Sequence, residues 1–170
     1  MVKSKLSMQE SINKIFNHFK IHTQYSICEG AVKINELKDY CKNNKIQSVG
    51  LSDTSNLCGA LEFSDNISKS GTQPIIGTQI FFKFKDVMGL IPLLALNKTG
   101  YKRIIELSSQ SFLKNDNLSE PHCNFEDLLI NTDGLAVFSG SIHGLIGKLF
   151  NKGRFSEIDE IYKKTNFIYK

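Results

Sequence analysis

The chain reads as an α/β fold, and three features of the sequence predict it. Strand-like apolar runs alternate with helical patterns along most of its 170 residues. No long hairpin signal separates the strands, so parallel pairing through right-handed crossovers is expected. Twice in succession, in FKIH leading into TQYSICEG and in IQSVGLSD leading into TSN, an apolar strand ends in a polar cluster. That is where α/β barrels keep their chemistry. Periodicity leaves open whether the sheet is open or closed.

In chain order, residues 1–15 (MVKSKLSMQESINKI) form an N-terminal extension, either loose or a short amphipathic helix. FKIH at 19–22 is a short strand. Residues 31–45 place Val32, Ile34, Leu37 and Cys41 near a 3.6 period and predict an amphipathic helix. IQSVGLSD at 46–53 is a buried strand with a polar end. A second helix covers 57–69; Gly71 stops it, and Ser55 or Asn56 is placed to cap its start. Residues 74–84 and 90–97 are strands, with Pro92 assigning the start of the latter to an edge or bulge. Residues 100–112 are helical with Ile104, Ile105 and Leu107 inward, and 115–124 a loop. A short helix at 125–130, a strand at 134–140, one or two helices over 142–162 and a strand start at 166–169 complete the order.

Composition narrows the classes. With 41% hydrophobic and 22% charged residues the chain can bury one core. No apolar run reaches the eighteen or so residues that span a bilayer, and the start lacks a hydrophobic signal core, so a cytoplasmic location without membrane contact is expected. Cys28, Cys41, Cys58 and Cys123 form no CxxC pair and read as buried or half-buried thiols rather than a zinc ribbon or redox centre. The net charge of +4 is dispersed and does not by itself mark a DNA-binding surface. SGSIHG at 139–144 sets Ser beside His, yet no nucleophile elbow, Walker loop or dinucleotide fingerprint occurs.

Five collinear segments carry a resemblance: KIHTQYSICEG (20–30), LSDTSNLCGALEF (51–63), PIIGTQIFF (74–82), LLALNKTGYKRIIELSS (93–109) and GLAVFSGSIHGLIGKLF (134–150). Together they resemble the polymerase and histidinol phosphatase (PHP) domain at the amino end of bacterial DNA polymerase III alpha subunits, from residue 16 to the end. The resemblance implies a PHP-type distorted (β/α) barrel, here incomplete at its C-terminal end. Such domains can hold two or three metal ions on His, Asp and Glu, which activate a water for phosphoester hydrolysis. His22, Glu29 and Asp53 stand at acceptable ligand positions. Lys20, Thr54, Gln79, Leu90 and Ser141 stand where the family pattern places His, His, Glu, His and Cys. The implied segment is therefore without catalytic residues or cofactor of its own, a scaffold that docks a proofreading exonuclease subunit and the remaining polymerase domains of the holoenzyme. The whole protein would be a magnesium-using DNA-directed DNA polymerase acting on DNA in chromosomal replication. The alternative is an active metal-dependent phosphoesterase or 3'-5' exonuclease. Two residue-level expectations accompany this: His22 hydrogen-bonds a carboxylate, and the Lys20 ammonium pairs with Glu29 or Asp53 in the vacated site. His18, His122 and His143 match no ligand position and read as surface or loop histidines.

Overall fold

The computed structural model describes residues 16–115 and 119–165. The N-terminal extension and the expected strand start at 166–169 lie outside the described residues. The chain divides into two compact units. One comprises the residues up to Asp53 together with Cys58–Ile76; the other comprises Thr54–Leu57 and the residues from Gly77 onward.

The first unit is a parallel sheet of three strands in the order β1 (His18–Ile21), β2 (Ser48–Leu51), β4 (Gln73–Ile75). Ser48–Gly50 of β2 pair with Gln73–Ile75 of β4, and Ile21 of β1 pairs with Leu51. Between them run α1 (Ile34–Asn43) and α2 (Ala60–Lys69). Each helix buries residues spaced i, i+3, i+7: Ile34, Leu37 and Cys41 in α1, and Ala60, Phe63 and Ile67 in α2. That spacing is one face of a helix. β2, buried at all four positions, is the centre of this core, whereas β1 is largely exposed. α2 begins three residues later than the sequence predicts. Neither Ser55 nor Asn56 caps it; the Asn56 amide instead donates back to the Thr54 carbonyl at 2.9 Å. Gly71, at φ +80°, follows its end as expected.

The second unit is built on a mixed sheet in the order β3 (Asp53–Thr54), β5 (Gly77–Phe84), β6 (Val87–Ala95), β8 (Leu135–Val137), with β7 (Cys123–Asn124) parallel to β5. Its dominant feature contradicts the all-parallel expectation. β5 and β6 form an antiparallel hairpin in continuous register from Gly77↔Leu94 to Phe84↔Val87. The turn is Lys85–Asp86, and Lys85 adopts φ +55°. Hairpin turns demand positive φ, which Gly and Asn usually advertise; a lysine in that role leaves no sequence signal. Pro92 sits inside β6 rather than at an edge or bulge. Its carbonyl accepts from the Phe138 amide at 3.0 Å. Since N and C=O of a strand residue point the same way, its missing N–H falls outside the β5 ladder.

Against this sheet lie α3 (Lys98–Leu113), α4 (Phe125–Leu129), α5 (Leu145–Asn151) and α6 (Phe155–Lys164). Ile80, Phe82, Leu93, Ile104, Leu107 and Leu128 are fully buried between the layers. Ile105, expected inward, is exposed; its neighbour Ile104 takes the core position. Asn97 caps α3 by accepting from the Gly100 amide at 3.0 Å. Two of the four thiols also depart from expectation, Cys28 and Cys58 being exposed while Cys41 and Cys123 are buried. Burial pushes the Cys123 thiol up to about 11. Neither sheet closes on itself among the described residues, so the fold is mixed α/β with open ladders.

Candidate functional site

In the first unit the site is a short loop laid over the end of β2. Asp53 lies just past β2 and is fully buried. A buried carboxylate is costly unless donors surround it. Here the Thr23 amide donates to Oδ1 at 2.6 Å, the Thr23 hydroxyl to Oδ2 at 2.7 Å and the Ser26 hydroxyl to Oδ1 at 2.7 Å. The loop that brings these donors is folded tightly on itself. The Ser26 amide donates to the Thr23 carbonyl at 2.9 Å and the Gly30 amide to the Ser26 carbonyl at 2.9 Å. Residue 30 has to be glycine, because a Cβ there would stand 2.0 Å from the Thr23 carbonyl oxygen. Tyr25 reaches the other way, its hydroxyl donating to Glu62 on α2 at 2.7 Å.

His22 is half-buried beside this clamp. Its Nδ1 is 3.5 Å from the Ser26 hydroxyl and 3.9 Å from the exposed carboxylate of Glu29. The expected hydrogen bond to a carboxylate is thus not formed. Burial, helped by the positive charge of Lys20, lowers the His22 pKa below 6.5, against the opposite pull of Glu29 and Asp53. The ion-pair distance would favour a charged ring, but Glu29 is solvated and desolvation prevails, so His22 is neutral at pH 7. Lys20 is exposed and makes no ion pair among the described residues, which corrects the expectation that it pairs with Glu29 or Asp53. The reason lies in Asp53: its oxygens already take three donors, and a solvated ammonium gains nothing by desolvation.

The second unit holds the other candidates. Thr54 and Gln79 face each other, the Gln79 amide donating to the Thr54 hydroxyl at 2.7 Å while the Ser55 amide donates to the Gln79 carbonyl at 2.8 Å. Gln79 is buried and its Oε1 has no hydrogen-bond partner among the described residues. Leu90 is half-buried in β6 opposite Phe81, with a bridge to Gly144. Ser141 is exposed and its hydroxyl accepts from the His143 amide at 3.3 Å. Neither contributes a side chain with the affinity of imidazole or thiolate for a metal. His143 is exposed, and His122 lies in the loop with its ring at 2.8 Å from the Glu120 carbonyl.

Divalent clusters need several His, Asp or Glu side chains turned onto one point. No group of three or more such residues, cysteine included, is so arranged among the described residues. The clamp residues Thr23 and Ser26 were not foreseen as functional positions; their only trace in sequence is the Thr-x-x-Ser spacing within HTQYS.

The PHP domain family matches residues 18–170. The chain belongs to that family. This PHP domain is 37% identical over 134 residues to the DNA polymerase III subunit alpha of Rickettsia felis, covering 78% of the chain and 11% of that protein. The corresponding subunit of Caulobacter vibrioides is 32% identical over 163 residues, covering 88% of the chain and 14% of that protein. The chain therefore spans between a tenth and a seventh of the length of these relatives. Among solved structures it is similar to an amidohydrolase from Chromobacterium violaceum, at 15% identity and a TM-score of 0.47 over 56% of this chain and 32% of that one. In this PHP domain the hydroxyl clamp on Asp53 and the Thr54–Gln79 pair are held by neutral donors and acceptors.

Proposed function

We propose that this PHP domain is the amino-terminal segment of a DNA polymerase III alpha subunit, serving chromosomal replication as a catalytically inactive scaffold. The similarity to alpha subunits over most of the chain supports the replicative assignment. The observation that carries the scaffold reading is at Asp53: the one buried carboxylate of the site has both oxygens held by Thr23 and Ser26. The Thr54–Gln79 hydrogen bond adds to it, since two positions that would carry ligand side chains instead satisfy each other without charge. In this reading the segment docks the proofreading exonuclease subunit and supports the remaining polymerase domains. DNA, deoxynucleoside triphosphates and magnesium belong to the whole polymerase in the cytoplasm.

Metal analysis of the purified chain after incubation with zinc or manganese and desalting, paired with hydrolysis of a chromogenic phosphodiester, tests the reading. The expected result is less than one equivalent of metal and no turnover. Stoichiometric metal with turnover lost on Asp53→Asn would establish the metal-dependent phosphoesterase instead. Co-elution with the purified exonuclease subunit of the same genome is the expected result for docking.

A further inference from the structure

We propose that the solvent face of α3 is a docking surface for an amphipathic helix of a partner protein whose apolar ridge is flanked by acidic side chains. α3 is the longest helix described and has two apolar faces. The inner one carries Ile104 and Leu107 into the core. On the outer one Tyr101, Ile105 and Phe112 are 37%, 41% and 54% exposed. At 100° per residue these three fall within an arc of about 40° and form a straight ridge about 16 Å long. Ser108, half-buried, stands in the same arc between Ile105 and Phe112; single exposed apolar residues need no explanation, whereas three aligned on one helix face signal contact. Helix propensity does not account for the row either, because aromatic and β-branched side chains are among the weaker helix formers.

The charges beside the ridge define the partner. Lys98 and Lys102 line one flank, both exposed and without an ion pair among the described residues. The nearest acid on that side, Glu106, is held by Arg103 at 3.0 Å. The flank thus presents uncompensated positive charge near a helix N-terminus, where the macrodipole has the same sign. A straight apolar ridge three turns long fits a second helix laid along it, with carboxylates over Lys98 and Lys102. A strand partner is not favoured, since it recognises unpaired strand backbone and a helix presents none.

Two synthetic helical peptides, each roughly eighteen residues long, test this by fluorescence anisotropy against the 170-residue chain. They share a leucine ridge and differ in flanks of Glu or Lys. The Glu-flanked peptide is expected to bind at least about tenfold tighter, and to weaken as salt rises. The double variant Ile105→Ser with Phe112→Ser should lose about tenfold or more in affinity. Lys98→Glu with Lys102→Glu, two exposed changes that leave the core intact, should invert the preference between peptides. No binding, equal binding of both peptides, or affinity unaffected by these variants overturns the proposal. So does a chain that dimerises through this face, or one that binds anionic phosphatidylglycerol vesicles and neither peptide.

Discussion

A single carboxylate organises the first unit's loop. Asp53 is buried, and one backbone and two hydroxyl donors hold its carboxylate. Each such charge-assisted bond contributes about 1.5–3 kcal/mol. Thr23→Val should therefore lower unfolding free energy by about that amount in urea titrations; an unchanged midpoint would mean that the clamp is incidental. His22 gives a second residue-scale prediction. Its folded pKa lies below the unfolded 6.5, with burial the first cause and Lys20 the second. As pH falls through 6.5 the unfolded chain takes up the proton first, so this contribution to stability is complete above 6.5 and declines toward the folded pKa. Thermal melts should show that decline between neutral and acid pH, and His22→Gln should flatten it. Lys20→Met should raise the His22 pKa in an NMR titration, because it removes a neighbouring positive charge.

Elements were legible where side-chain periodicity expresses burial. α1, α2 and α3 all fall inside or close to the ranges their apolar spacing predicts, since one face of each packs on a sheet. Strand pairing was less legible. The alternation of strand and helix patterns points to parallel crossovers, but β5 and β6 are joined by Lys85–Asp86 with no glycine or asparagine to mark the turn. Caps were less legible still. The polar residues expected to cap α2 bond elsewhere, while Asn97 and the Asn124–Asp127 capping box, read in the sequence as strand end and loop, start α3 and α4. Asn97→Ala should cost about 1 kcal/mol by loss of the α3 cap, read as a lower denaturation midpoint with an unchanged slope.

For the molecule as a whole, the inactive-scaffold reading makes a thermodynamic prediction. A metal bound only by the folded chain at a hundred times its Kd would add about 2.7 kcal/mol of stability. Zinc or manganese at millimolar concentration is expected to leave the thermal midpoint unchanged, because no described group of His, Cys, Asp and Glu converges to receive it. An upward shift of several degrees that chelator reverses would contradict the scaffold reading.

The sequence alone determined the order of most elements and the faces their helices bury. These are local properties, readable because burial is written in residue type and spacing. Only the tertiary structure decided what surrounds Asp53 and Gln79. Asp53 could have sought an ammonium, a metal or hydroxyls, and Gln79 could have faced solvent. Which partner each took was set by the loop of Thr23 and Ser26 closing over Asp53 and by Thr54 lying 2.7 Å from the Gln79 amide. A buried polar group takes whichever donor or acceptor the fold brings within hydrogen-bonding distance, and no pattern in the chain records that distance.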